Sequence, residues 1–112
     1  MLPDPIQVFW YGDEFSWNVT AAEKLTVDCE PTPVDVTGWI AELSSATIND
    51  EHWPSVDLAK PLIIVPLPRT DELWPIDGWH RIRRAHAEGI IMLSAHVLSR
   101  EQERIVRGYG SE

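Results

Sequence analysis

WPIDGWHRIRRAHAEG, residues 74–89, predicts the end of a strand, a tight turn and a helix. Gly78 marks the turn, and Asp77 is placed to cap the helix by accepting from its first N–H groups. The predicted helix runs over residues 79–88, and Gly89 then takes the left-handed position at which many helices end.

The start of the predicted helix has the composition of an anion site. The first turn of a helix offers N–H groups without intrahelical acceptors and a partial positive charge. Gly78 adds an unhindered backbone, and His80 and Arg81 add an imidazole and a guanidinium. We therefore expect a phosphate group at residues 78–81, with Trp79 either walling the site or stacking on a base.

The composition is that of one globular domain. The chain has 112 residues, of which 44% are apolar and 24% are charged, so it can bury a core. Its single cysteine, Cys29, gives neither a disulfide framework nor a cysteine-rich zinc site. No apolar run reaches membrane-spanning length, and residues 1–5 do not resemble a secretion signal. We therefore expect a cytoplasmic protein without a membrane partner.

Charge is distributed unevenly along the chain, whose formal net charge is −9. Residues 1–59 contain 11 acidic residues and one basic residue, which gives −10. Residues 60–112 contain 7 acidic and 8 basic residues, which gives +1. Non-specific binding to nucleic acid requires a basic surface. We therefore rank DNA binding or cleavage lowest and do not expect a nucleic-acid partner without another domain, whereas the second half can hold a small anion.

Hydrophobic patterning predicts a β-rich first half followed by alternating helices and strands. The predicted strands are residues 6–11, 14–20, 23–28, 62–65, 72–74 and 90–98, and the predicted helices are residues 38–46, 79–88 and one that starts at Ser99 with a capping box to Gln102. This order indicates an α+β fold with a small mixed sheet and about three helices. Residues 1–19 would form an N-terminal hairpin, and residues 20–112 the main body of one globular domain, with residues 47–60 as an ordered loop.

Several segments together resemble the ParB/sulfiredoxin superfamily. The apolar run Leu62–Pro66 precedes IDGWHR at residues 76–81, a helix ending at Gly89, and a strand at residues 94–98. Members of the superfamily carry an I-D-G-x-H-R segment in the same order, and the resemblance covers residues 20–107. It implies a small fold in which the G-x-H-R turn holds the phosphates of a nucleotide, either ATP or ADP or CTP, with Mg²⁺ as a companion ion.

Departures from the superfamily pattern narrow the chemistry. Sulfiredoxins have a cysteine where this chain has Trp79, so the thiol nucleophile is absent. With 112 residues, we also do not expect the helix-turn-helix domain of the segregation proteins. The free-serine kinase branch is closest in motif, and the residues that match it are Asp77, Gly78, His80 and Arg81. That branch uses a glutamate on an early strand, for which Glu30 is the candidate, and it implies phosphoryl transfer or phosphate-ester hydrolysis.

Each candidate residue also has a structural interpretation, and both remain open at the level of sequence. In the functional interpretation the catalytic residues are Asp77, His80 and Glu30, and the nucleotide-binding residues are Gly78, Trp79, His80 and Arg81. In the structural interpretation each has an ordinary role: helix cap for Asp77, packing residue for His80 and Trp79, solvated acid for Glu30, turn residue for Gly78 and helix surface residue for Arg81. The histidines have no convincing metal spacing, so we expect no metal site formed by the protein alone.

A different class of function stays open beside nucleotide binding. The fold could serve as a non-enzymatic module whose acidic first half binds a basic protein partner. Among the six tryptophans, Trp10, Trp39 and Trp74 are expected to pack in or against the core. Trp53 lies in the unpatterned loop, where the sequence does not decide between a lid and a partner contact.

Overall fold

Strands and helices alternate through residues 6–44, 57–70 and 72–110, which are the residues that the computed structural model describes. The strands are β1 (Val8–Tyr11), β2 (Phe15–Asn18), β3 (Thr32–Asp35), β4 (Leu62–Pro66), β5 (Leu73–Asp77), β6 (Met92–Val97) and β7 (Arg107–Tyr109). The helices are α1 (Val19–Leu25), a 3₁₀ helix (Thr37–Ser44), α2 (Trp79–Ala87) and α3 (Arg100–Val106). The predicted α+β fold class is confirmed, with four helices in the described residues where about three were expected.

A four-stranded mixed sheet of order β3-β6-β4-β5 forms the centre of the molecule. All five residues of β4 are buried, as the apolar run at residues 62–65 predicted. β4 pairs in parallel with β6 and antiparallel with β5, and β3 adds to the far side of β6. The two faces of the sheet carry separate apolar clusters, one around Trp17 and Ile63 and one around Ile64 and Ile82.

A bulge in β5 brings two polar residues to the same part of this sheet. Ile64 lies opposite Pro75, but Ile63 lies opposite Asp77, so Ile76 is the extra residue. A bulge of this kind changes the direction of the side chains that follow it. On its other side Ile63 lies opposite His96 of β6. Asp77 and His96 therefore flank one buried residue at the start of β4.

The smaller sheet joins the two ends of the described chain. β1 and β2 form the predicted hairpin, and β2 also pairs antiparallel with β7, so the sheet has the order β1-β2-β7. The predicted helix at residue 99 is confirmed together with its capping box between Ser99 and Gln102. β7 was not predicted. Trp17 of β2 packs with Ile63 in the core, which connects the hairpin directly to the larger sheet.

One secondary-structure prediction was wrong. Residues 23–28 were predicted as a strand, but α1 extends to Leu25, because Asn18 caps it by accepting from the Ala21 N–H at 2.9 Å and Val19 and Ala22 bury one face. The helix predicted at residues 38–46 is present as the 3₁₀ helix Thr37–Ser44. Residues 45–56, which include the end of that predicted helix and most of the predicted loop with Trp53, lie outside the described residues.

Trp10 does not pack as the sequence suggested. Its side chain is 54% exposed and meets the ring of Tyr109 across the outer face of the smaller sheet, with centroids 5.8 Å apart. Ser16, which pairs with both Trp10 and Tyr109, is buried in the middle strand. The described helices include none with the length and apolar content needed to cross a bilayer.

Candidate functional site

Helix α2 begins at Gly78, whose φ of +105° is one that residues with a side chain rarely adopt. Asp77 was predicted to cap this helix, and that prediction was wrong, because its carboxylate pairs with the side chain of Arg81. The N-cap position therefore supplies no side-chain acceptor, in contrast to Asn18 of α1 and Ser99 of α3. At the other end, the left-handed conformation predicted for Gly89 is confirmed by its φ of +73°.

Arg81 points into the protein and is only 5% exposed. Its Nη1 donates to the carbonyl oxygens of Lys60 and Pro61, both at 2.8 Å, and its Nη2 donates to Asp77 Oδ2 at 3.1 Å. The guanidinium is therefore neither a solvated surface group nor directed at an external phosphate. It joins the start of α2 to the segment before β4 and fixes the Asp77 carboxylate.

The glycine at position 78 is required by packing as well as by its backbone conformation. A Cβ atom there would collide with Leu62 Cδ2 and would lie 2.9 Å from Arg81 Nη2. The space beside Gly78 Cα is thus filled by the protein itself. The structural interpretation of this glycine is sufficient, so the residue does not by itself indicate a phosphate-binding turn.

The other predicted site residues occupy different environments. Trp79 is buried, and its Nε1 donates to the Pro75 carbonyl at 3.0 Å, so this indole packs beneath the turn. His80 is half-buried in the first turn of α2. Glu30 is exposed just before β3, which is the opposite edge of the sheet from β5. The structure therefore does not bring Glu30 to Asp77.

Asp77 instead lines a cavity of about 160 Å³ at the start of β4, which we call the Asp77 cavity. Its lining residues are Glu23, Thr26, Val27, Lys60, Pro61, Ile63, Asp77 and His96. They come from α1 and the two residues after it, from the segment before β4 and from three strands of the larger sheet. The cavity thus contains one lysine, one histidine and two carboxylates, of which sequence reasoning selected only Asp77.

The Asp77 carboxylate is well placed to act on a ligand in this cavity. Its side chain is 14% exposed, and Arg81 Nη2 forms an ion pair with Asp77 Oδ2 at 3.1 Å. Among the described residues no group of three or more His, Cys, Asp or Glu side chains is arranged to hold a metal ion. Asp77 alone would therefore offer a Mg²⁺ ion one ligand, in keeping with an ion that arrives on phosphates and keeps several waters.

Lys60 and His96 carried only weak signals in the sequence. Lys60 immediately precedes the Pro61 that leads into the buried strand, and His96 lies within a predicted strand, so each position was compatible with an ordinary surface residue. Their approach to Asp77 depends on the pairing of β4 with two strands that follow it in the chain. Comparison of the chain with protein-family models, with curated proteins and with solved structures found no match.

Proposed function

We propose that this is a cytoplasmic protein that binds a phosphate-bearing ligand of the nucleotide class between the start of α2 and the Asp77 cavity. The observation that supports this most strongly is the Asp77 carboxylate, fixed by Arg81 at 3.1 Å on the wall of a cavity that also contains Lys60. A fixed carboxylate beside a lysine suits a ligand that carries phosphate with a metal ion. The resemblance of residues 20–107 to the ParB/sulfiredoxin superfamily favours a nucleotide, either ATP or ADP or CTP.

Positive charge for the phosphates would come from two sources other than Arg81. Lys60 lines the cavity, and its ammonium group would be the first source. The first turn of α2 supplies the positive end of the helix dipole, and His80 lies in that turn as a further hydrogen-bond donor. Arg81 is assigned a positioning role, because its donors are directed at Asp77 and at two backbone carbonyls. This replaces the phosphate clamp that the motif implied for Arg81.

The chemistry proposed for this site is phosphoryl transfer or phosphate-ester hydrolysis. Asp77 would accept the proton of an attacking hydroxyl group or water, or would orient a Mg²⁺ ion bound to the phosphates. His96, on the other side of Ile63, is a second group able to move a proton in the cavity. Glu23 lines the cavity, and we assign to it the role of second carboxylate that the sequence interpretation gave to Glu30.

Magnesium is expected to be required for binding. The cavity holds the carboxylates of Glu23 and Asp77 against the single ammonium group of Lys60, and Arg81 offsets only its partner Asp77. Free triphosphate would therefore meet repulsion that Mg²⁺ removes by neutralising part of its charge. We expect ATP or CTP to bind measurably with Mg²⁺ and weakly when EDTA is present.

The test is a calorimetric titration of ATP, ADP and CTP into wild type, Lys60→Ala and Arg84→Ala. Lys60→Ala removes a charge from the cavity and is expected to weaken binding about tenfold, which corresponds to a charge-assisted hydrogen bond of about 1.4 kcal/mol. Arg84→Ala removes a charge from the last turn of the same helix, where Arg84 pairs with Glu88, and should bind as wild type does. No binding by wild type, or equal loss in both variants, would contradict the proposal.

A second candidate function is the acidic interaction module. The observation in its favour is the net charge of −10 in residues 1–59 together with the exposed apolar side chains of Val8, Trp10 and Tyr109 on the outer face of the smaller sheet. Capture of a basic protein at low salt but not at high salt, without any nucleotide effect on the melting temperature, would favour it.

DNA binding or nuclease activity ranks last because of the same charge, and a gel-shift and nicking assay with Mg²⁺ tests it.

A further inference from the structure

A second cavity, of about 330 Å³, lies between β1, the start of β5 and the 3₁₀ helix. We call it the aromatic cavity, and its lining residues are Phe9, Trp10, Tyr11, Gly12, Glu42, Trp74 and Trp79. Five of these seven residues are aromatic. Its volume is at the lower end of the roughly 300–1,000 Å³ typical of ligand pockets. The N-terminal hairpin supplies one wall, so the cavity depends on residues outside the superfamily resemblance.

The rings around this cavity are not parallel. Tyr11 and Trp74 meet at 82° with centroids 5.2 Å apart, and Trp74 and Trp79 meet at 54° with centroids 5.6 Å apart. A planar base would stack best between parallel rings. Rings set at large angles present their electron-rich faces from several directions, which is the arrangement that attracts a cation. Ring geometry thus favours a positively charged occupant over a nucleotide base.

The charge around the cavity favours the same kind of occupant. Glu42 is the charged residue in the lining, which includes no lysine or arginine. Residues 1–59, which supply the hairpin and Glu42, have a net charge of −10. Among biological cations, the arginine guanidinium both stacks on aromatic faces and pairs with a carboxylate through two parallel N–H donors. An arginine side chain therefore fits the rings and Glu42 together better than a lysine does.

We infer that the aromatic cavity is a docking site for an arginine side chain in a basic segment of a partner protein. The guanidinium lies among the rings of Tyr11, Trp74 and Trp79 and pairs with Glu42. Exposed Trp10 covers the flanking residues of the segment. This inference goes beyond the proposed nucleotide site and uses none of the residues of the Asp77 cavity.

The test uses the capped peptide acetyl-Gly-Arg-Gly-amide and its neutral citrulline analogue. Each is titrated into ¹⁵N-labelled protein while the indole N–H signals are followed. The arginine peptide is expected to shift the Trp74 indole signal and to bind about 5- to 30-fold more tightly than the citrulline peptide. Equal binding of the two peptides, or saturation without a shift of the Trp74 signal, would overturn the inference. So would equal binding of the lysine analogue, since the guanidinium is then not what the cavity recognises.

Matched variants localise the binding site. Glu42→Gln and Trp10→Ala each change a residue of the lining without emptying the core, and each should weaken binding of the arginine peptide several-fold. Trp39→Phe removes an indole N–H that donates to the Leu73 carbonyl outside the cavity lining, and it should bind as wild type does. Binding unaffected by either lining variant would place the peptide elsewhere and refute the assignment. Lys60→Ala should retain peptide binding, so failure of the nucleotide site and failure of this site are separable.

Discussion

Two ion pairs in this protein share a spacing but differ in their surroundings. Asp77 pairs with Arg81, and Glu103 pairs with Arg107, so each carboxylate precedes its arginine by four residues. Glu103 is fully buried and accepts from Arg107 through both oxygens, at 2.6 and 2.7 Å, and from Trp17 Nε1 at 2.7 Å. Asp77 accepts from Arg81 through one oxygen and faces a cavity.

The difference shows that one sequence pattern can serve two purposes. Around Glu103 every oxygen is used by the protein, which ties α3 to β2 and leaves nothing for a ligand. At Asp77, Arg81 also donates to the carbonyl oxygens of Lys60 and Pro61. The Asp77 carboxylate can therefore still accept a hydrogen bond from a ligand in the cavity. The fully buried pair Glu103–Arg107 stabilises the fold, whereas the pair Asp77–Arg81, which lies beside a cavity, holds a carboxylate in position.

The largest expected effect on the free energy of unfolding comes from breaking the buried pair Glu103–Arg107. Glu103→Gln leaves the Arg107 guanidinium without its buried counter-charge and weakens the acceptor of Trp17 Nε1. We expect a loss of about 3 kcal/mol in the free energy of unfolding, the lower end for removing one partner of a buried ion pair, because Arg107 can reach solvent. Urea unfolding measures it. A loss below about 1 kcal/mol would show that the Glu103 network is not what joins α3 to the hairpin.

At the pair Asp77–Arg81 we expect a smaller effect on stability but a larger effect on nucleotide binding. Asp77→Asn keeps an oxygen acceptor for Arg81, which also retains its two carbonyl partners. We expect a loss of about 1 kcal/mol in the free energy of unfolding, together with loss of Mg²⁺-dependent nucleotide binding. Urea unfolding and calorimetry on the same preparations measure both. The contrast between the pairs fails if Asp77→Asn is as destabilising as Glu103→Gln, or if nucleotide binding survives it.

An exposed carboxylate provides the third and smallest case. The Thr37 hydroxyl and then the Thr37 backbone N–H, at 2.6 and 2.8 Å, hold the pKa of Asp35 below its ordinary value. This lowered pKa contributes stability above the unfolded-state pKa, and the contribution disappears as the pH falls through the folded-state pKa. Asp35→Asn should therefore flatten the acid side of the stability curve, as measured by urea unfolding between pH 5 and 2. An unchanged curve would mean that these hydrogen bonds do not stabilise the folded state.

Local signals in the sequence were sufficient for much of the fold. The continuous apolar run at residues 62–65 identified the central strand, and the Ser99 and Gln102 pair identified the start of α3. Gly89 was correctly assigned to the left-handed position after α2. In each case the determining interactions lie within a few residues of one another, so the pattern and the structure coincide.

Other elements depended on contacts that no local pattern contains. Residues 23–28 alternate in polarity as a strand does, yet the cap at Asn18 starts a helix ahead of them. β7 is three residues long, and its pairing with β2 determines it. Asp77 could bond either the first N–H groups of α2 or Arg81, and only the position of the Lys60 and Pro61 carbonyls draws Arg81 inward to receive it.

The residues around the candidate site were anticipated only in part. The segment around residue 77 was selected because a polar turn follows a buried strand there, and Asp77 lines a cavity in the structure, while its chemistry stays a prediction. Lys60, His96 and Glu23 were not selected, because they reach the cavity through long-range packing. The bulge at Ile76 and the parallel pairing of β4 with β6 place Asp77 and His96 on either side of Ile63, while Glu23 comes from α1. The direction of the Arg81 side chain was not predictable, because a motif states which side chain is present but not which way it points.

The bond from Trp17 to Glu103 spans 86 positions of the chain. During synthesis on the ribosome, Trp17 emerges long before its acceptor Glu103. Strand β7, which pairs with β2, also emerges late. Because contacts between residues distant in sequence form slowly, we expect the smaller sheet to form late in folding. During that interval the aromatic residues of the hairpin are exposed to other proteins, and chaperone binding there would protect the nascent chain.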